Sequence, residues 1–151
     1  MNSEAGDILI IGFGNPLRSD DAAGLHVARA LADSGHRVIE VWQLAPELAE
    51  DIATSRRVIF VDCQMDLAPG EVRVSPVERS AHADTHLQTP GDLLRLAAVL
   101  YGSAPEGLLV GIGPESVELG ETLSGRVRDA VARAVEQTVR LCRVPAMLGP
   151  E

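Results

Sequence analysis

The chain has 151 residues, 46% of them hydrophobic, which suffices for one domain with its own core and no disulfide or metal staple. Its net charge is −9, every basic residue is an arginine, and aromatics make up only 3%; the positive footprint and stacking platforms that a nucleic-acid partner needs are both missing. No run reaches the roughly 18 apolar residues of a membrane span, and the opening M-N-S-E-A-G-D has neither the basic nor the apolar region of a signal peptide, so a cytoplasmic, monomeric protein is expected.

Residues 7–13, D-I-L-I-I-G-F, form a short apolar run ending near glycine, as suits a strand buried on both faces of a parallel sheet. After a turn, Ser19 or Asp20 is placed to cap a helix over roughly 21–33, with Leu25, Ala28, Leu31 and Ala32 inward and Gly35 at its end. Residues 37–42, R-V-I-E-V-W, predict strand two. Pro46 opens a short helix to about Ala53. Residues 57–62, R-V-I-F-V-D, predict a buried third strand that ends in an aspartate.

Residues 71–75, E-V-R-V-S, alternate strictly, as an edge strand with one wet face does. The connection from strand three is too short for the dozen or so residues of a parallel crossover, so this strand is expected to run antiparallel to strand three. Thr89, Pro90 and Asp92 mark a capped helix start, and that helix runs to about Tyr101. Residues 107–112, G-L-L-V-G-I, predict the fifth strand. A last helix over about 121–143 carries the stripe Leu123, Val127, Val131, Val135, Val139 and Cys142.

Strands and helices alternate throughout, without linker or repeat. The expected fold is a single α/β domain over residues 1–151: a three-layer sandwich with a mostly parallel, five-stranded twisted sheet, one antiparallel edge strand, and helices on both faces. Cys63 and Cys142 make no metal or redox spacing and are expected to be reduced and packed.

G-F-G-N after strand one invites a dinucleotide-binding reading. However, Leu17 stands where the third glycine belongs, and Asp20 and Asp21 would repel a pyrophosphate at the helix start. One aspartate suffices for a cap, so the second is surplus. Ligands of parallel sheets bind beyond the carboxyl ends of the strands. Asp21 follows the end of strand one, and Asp62 is itself the end of strand three. A buried apolar strand that closes on a carboxylate must pair it, cap a turn with it or bind something with it. His86 lies in A-H-A-D-T-H-L-Q-T-P before the third helix; His26, His36 and His82 read as surface residues. Two carboxylates and an imidazole would suit zinc, nickel, iron or manganese, with positions left for water or substrate. Asn15, Gln43 and Glu115 follow strands one, two and five and are candidates for substrate contact. Taken alone, these residues allow either a metal-dependent enzyme or a non-catalytic α/β module that binds a metal or nucleotide.

The chain resembles the hydrogenase maturation endopeptidases. The likeness rests on I-L-I-I-G-F-G-N-P-L-R-S-D-D-A-A-G-L, on E-L-A-E-D-I and R-R-V-I-F-V-D-C, on His86 with Asp92 and L-L-R-L-A-A-V-L, and on L-L-V-G-I-G-P-E-S-V-E, covering roughly residues 7–140. It implies a twisted five-stranded sheet between helices. It also implies cleavage of a short C-terminal extension from the nickel–iron hydrogenase large-subunit precursor once nickel is in place. The resemblance makes Asp21, Asp62 and His86 the metal-contacting, catalytic set. The nickel is either held by this chain or brought by the precursor, and another divalent metal would fit the same donors. Two features depart from the family pattern. Many members have glutamate at the position of Asp21. Many also carry D-G-G-T after strand two, where this chain reads W-Q-L-A-P-E and Gln43 is the nearest polar residue. No serine elbow is present, and Cys63 beside a carboxylate is a poor nucleophile.

Overall fold

The structure is a computed structural model that describes residues 8–81 and 89–145. In chain order the elements are β1 (Ile8–Phe13), α1 (Ala23–Ala30), β2 (Arg37–Val41), α2 (Leu48–Ala53), β3 (Arg57–Cys63), β4 (Val72–Val77), α3 (Pro90–Tyr101), β5 (Glu106–Ile112) and α4 (Gly125–Arg143). The strands form one sheet in the order β2-β1-β3-β5-β4. All neighbours are parallel except β4 and β5, whose antiparallel ladder places Val72 opposite Ile112 and Val77 opposite Gly107. β4 thus runs antiparallel to β3, as its short connection requires, and takes its hydrogen bonds from β5.

The alternation of each buried strand divides the core in two. Ile8, Ile10, Ile59, Val61, Val110 and Ile112 face α1 and α4, where they meet Val27, Val127, Ala130 and Ala134. Leu9, Ile11, Val58 and Phe60 face α2 and α3, against Ile52, Leu93 and Ala97. The two layers of helix over both faces account for the long apolar runs of β1 and β3.

Four expectations shift. The helix after β1 is shorter than the 21–33 span: residues Ser19–Ala22 form a 3-10 turn, and α1 begins at Ala23 with no side-chain cap. The last helix begins at Gly125, capped by Ser124, whose hydroxyl accepts from the Val127 N–H. Its buried face is Val127, Ala130, Ala134, Thr138 and Cys142, with Val131, Val135 and Val139 only partly buried beside it. Small residues at the centre let α4 lie close to the sheet while the valines pack along its flanks. The Thr89 capping box with Asp92 forms as expected. Both cysteines are free and buried, whereas His26 and His36, read as surface residues, are half-buried.

Glycines let α1 approach the sheet closely. Any side chain at Gly24 of α1 would overlap the carbonyls of Val61 and Phe13, and one at Gly12 would overlap the carbonyl of Gly24. α1 therefore starts directly over the carboxyl ends of β1 and β3. At the other end of the sheet, Arg57 is 1% exposed; it pairs with Glu106 at 2.8 Å and donates to the carbonyls of Leu141, Val144 and Pro145. One guanidinium thereby satisfies the end of α4 and anchors it under β3 and β5.

Candidate active site

Strand order puts the ends of β1 and β3 side by side, with Gly12 opposite Val61. The chain leaving β1 turns at Gly14, whose φ of +152° and contact with the Asp21 carbonyl exclude a side chain. Asn15 then shapes the turn twice. Its side-chain oxygen accepts from Leu17 N–H at 2.8 Å, and its own N–H donates to Asp21 Oδ2 at 2.7 Å. Ser19 holds a left-handed φ of 53°, uncommon for a residue with a side chain. Hydrogen bonds from its N–H to Gly120 O and from its hydroxyl to Glu118 O keep it there.

Asp20 is 0% exposed. Its carboxylate accepts from the backbone N–H groups of Glu115, Ser116 and Ser124 and from the Ser124 hydroxyl, at 2.8–3.0 Å. Burial pushes its pKa up, but the bonds from Ser124, Ser116 and Glu115 outweigh burial and hold it below the usual carboxylate value. Asp20 is thus a clasp between the β1–α1 loop and the β5–α4 loop. That leaves Asp21, the carboxylate the sequence marks as surplus, half-buried at the sheet edge.

Asp62 lies in β3 opposite Gly111. Burial pushes its carboxyl up to about 7, opposed by the hydrogen bond from Cys63 N–H and reinforced by the negative charge of Asp21. With no counter-charge between them among the described residues, the two neighbouring carboxylates favour either a proton or a cation, and their hard oxygen donors suit a divalent ion. Cys63 is pushed up to about 12 by burial and then by Asp62, Asp21 and Asp20, so it stays a thiol and is no nucleophile.

Asp21 and Asp62 are therefore brought together. His86 and His82 lie outside the described residues, and among the described residues no three His, Cys, Asp or Glu side chains cluster in a way that could hold a metal. The described flanks of that segment are tied to each other: Ser80 donates to Asp92 at 2.6 Å, and its N–H to Gly91 O at 3.1 Å. Gln43 is exposed in the loop after β2. Glu115 is exposed after β5, where a shallow cleft of about 350 Å³ is lined by Met65, Pro114, Glu115, Ser116, Val117 and Glu118. A larger apolar groove, about 690 Å³, lies at the opposite end of the sheet among Val77, Leu94, Gly107 and Leu141, away from the carboxylates. Chemistry selects the carboxylate edge over the larger groove. The clasp at Asp20 escaped sequence reasoning because its partners lie about a hundred positions away, and nothing local announces them.

A family model described as hydrogenase maturation protease matches residues 25–141. The chain belongs to the hydrogenase maturation protease family. It is accordingly a peptide-bond hydrolase, of a family that cleaves the C-terminal extension of hydrogenase large-subunit precursors, and the non-catalytic reading is set aside. Its fold is shared with the hydrogenase maturating endopeptidase HybD from E. coli, at a TM-score of 0.74 and 26% identity over 90% of this chain and 91% of that one. The [NiFe] hydrogenase maturation protease HybD from Thermococcus kodakarensis gives 0.71 and 30% over 89% and 98%. HycI from Thermococcus kodakarensis KOD1 matches in fold at 0.71, with 24% identity over 91% and 92%. No curated protein sequence matches the chain. Among the described residues, no helix is long and apolar enough to cross a membrane.

Proposed function

We propose that this protease removes the C-terminal extension of a nickel–iron hydrogenase large-subunit precursor after nickel insertion, and that Asp21, Asp62 and His86 touch the nickel carried by that precursor. One observation supports this reading above the others: two carboxylates share the carboxyl edge of the sheet, and the negative charge of Asp21 raises the cost of ionising Asp62. Such a pair attracts a cation. With no cysteine thiolate in reach, it would hold that cation loosely enough to share it with a substrate.

A nickel ion at these residues would polarise the scissile carbonyl or lower the pKa of a bound water. The chain's own part is positional. Asn15 N–H and the Asp20 clasp fix the loop that presents Asp21, and Cys63 N–H fixes one oxygen of Asp62.

The test is incubation with nickel-loaded and nickel-free precursor, followed by mass measurement of the released peptide. Cleavage is expected with nickel and lost without it. Equal cleavage of both forms removes nickel from the proposal, and full cleavage by Asp21→Ala, Asp62→Ala and His86→Ala variants would sink it altogether.

A further inference from the structure

Gln64 stands two residues beyond Asp62. Its backbone N–H still donates to Ile112 O at 2.9 Å, so the pairing of β3 with β5 extends through it. Residues two apart along a strand share a face, which places Gln64 and Asp62 on the same side of the sheet. Across the ladder, Asp62 is paired with Gly111, and the Gln64 side chain lies over that glycine. A methyl group on Gly111 would overlap Oε1, Cδ and Cγ of Gln64. Gly111 is therefore the floor of a seat for a carboxamide immediately beside the Asp62 carboxylate.

The seated group is half-buried and forms no hydrogen bond with another described residue. A carboxamide carries an acceptor oxygen and an N–H₂ donor side by side, which complements the N–H and C=O that one extended residue points to the same side. A half-buried group of this kind gains most when a partner supplies both bonds at once. At the edge of a peptidase site the partner at hand is the substrate's main chain.

We propose that Gln64 is a substrate-binding residue: its carboxamide, seated over Gly111 beside Asp62, pairs with a main-chain N–H and C=O of the precursor segment next to the scissile bond. The inference rests on the endopeptidase reading of the Asp62 edge. Because it grips backbone, Gln64 tolerates different side chains at the paired position. It contributes chiefly to holding the segment, a contribution that substrate and transition state share.

Gln64→Met keeps the volume and removes both hydrogen bonds; Gly111→Ala keeps the glutamine and unseats it. Steady-state cleavage of nickel-loaded precursor is measured for each, with urea unfolding as the check on folding. Loss of one to two neutral hydrogen bonds predicts a rise in KM of about fivefold to tenfold with kcat within about twofold. The same defect is expected in Gly111→Ala. Should Gln64→Met fail to fold, Gln64→Asn, which retracts the amide by one methylene, is expected to raise KM likewise. An unchanged KM in a folded Gln64 variant, while the wild type cleaves, overturns this inference alone. A wild type that releases no peptide overturns the endopeptidase reading and this inference with it.

Discussion

Replacing Asp20 by asparagine tests the clasp that frames the site. In the native protein Oδ2 accepts from Glu115 N–H, Ser116 N–H and the Ser124 hydroxyl, and Oδ1 accepts from Ser124 N–H. Asparagine keeps one acceptor oxygen. Set in the Oδ2 position, it retains three bonds without charge assistance, each about half as strong. Its amide then faces the Ser124 N–H, donor against donor, and an unmet buried donor costs about 1–3 kcal/mol. Relief from burying a charge offsets part of this, but the lowered pKa of Asp20 shows that the hydrogen bonds exceed burial. The net expectation is a loss of about 2–4 kcal/mol from a total stability on the order of 5–15 kcal/mol. Urea unfolding followed by circular dichroism at pH 7 and at pH 3 measures it. The folded pKa is depressed, so the stabilisation is present above the unfolded value near 3.9 and disappears as pH falls through the folded value. The gap between wild type and variant should therefore close below about pH 4. A gap under about 0.5 kcal/mol at pH 7, or one that widens on acidification, would refute the reasoning.

Three further outcomes are expected. Asp62 has a raised folded pKa, so its charge costs stability as pH rises from about 4 through about 7; metal-free Asp62→Asn should be more stable than wild type at pH 8, by roughly 1–2 kcal/mol, while losing cleavage, and equal stabilities in urea would contradict this. Cys63, held as a thiol up to about pH 12, should resist iodoacetamide at pH 8, with precursor cleavage unaffected by alkylation. Arg57→Met should cost about 3–5 kcal/mol in urea unfolding, because it strips a buried partner from Glu106 and from three carbonyls; precursor cleavage by the folded fraction should persist, since Arg57 lies at the far end of β3.

The fold was legible where one residue pattern had one physical outcome. Apolar runs at Ile8–Phe13 and Arg57–Cys63 could only be strands covered on both faces, and the Thr89 box could only begin a helix. The short connection before Val72 dictated an antiparallel strand but not its neighbour, because β5 enters the sheet later and separates β4 from β3. The α4 stripe was misread because valines outrank alanines in hydrophobicity, whereas close packing on a sheet favours the alanines. Asp21 and Asp62 were legible as strand-end carboxylates. Asp20 was misread as a cap, since its acceptors' partners are defined only by tertiary structure. Gln64 was invisible for the same reason: its seat is a glycine on another strand.

The Asp20 clasp also orders events in time. Asp20 and Ser124 are 104 positions apart, and β5, which must slide between β3 and β4, is among the last elements to be synthesised. Contacts this distant in sequence form late, because the loop they close is large. A nascent chain already bearing Asp21 and Asp62 lacks the frame that aligns them until the start of α4 has emerged. Asp21 and Asp62 therefore gain that frame only once nearly the whole domain has been made, so the site depends on the last elements of the chain as much as on the first.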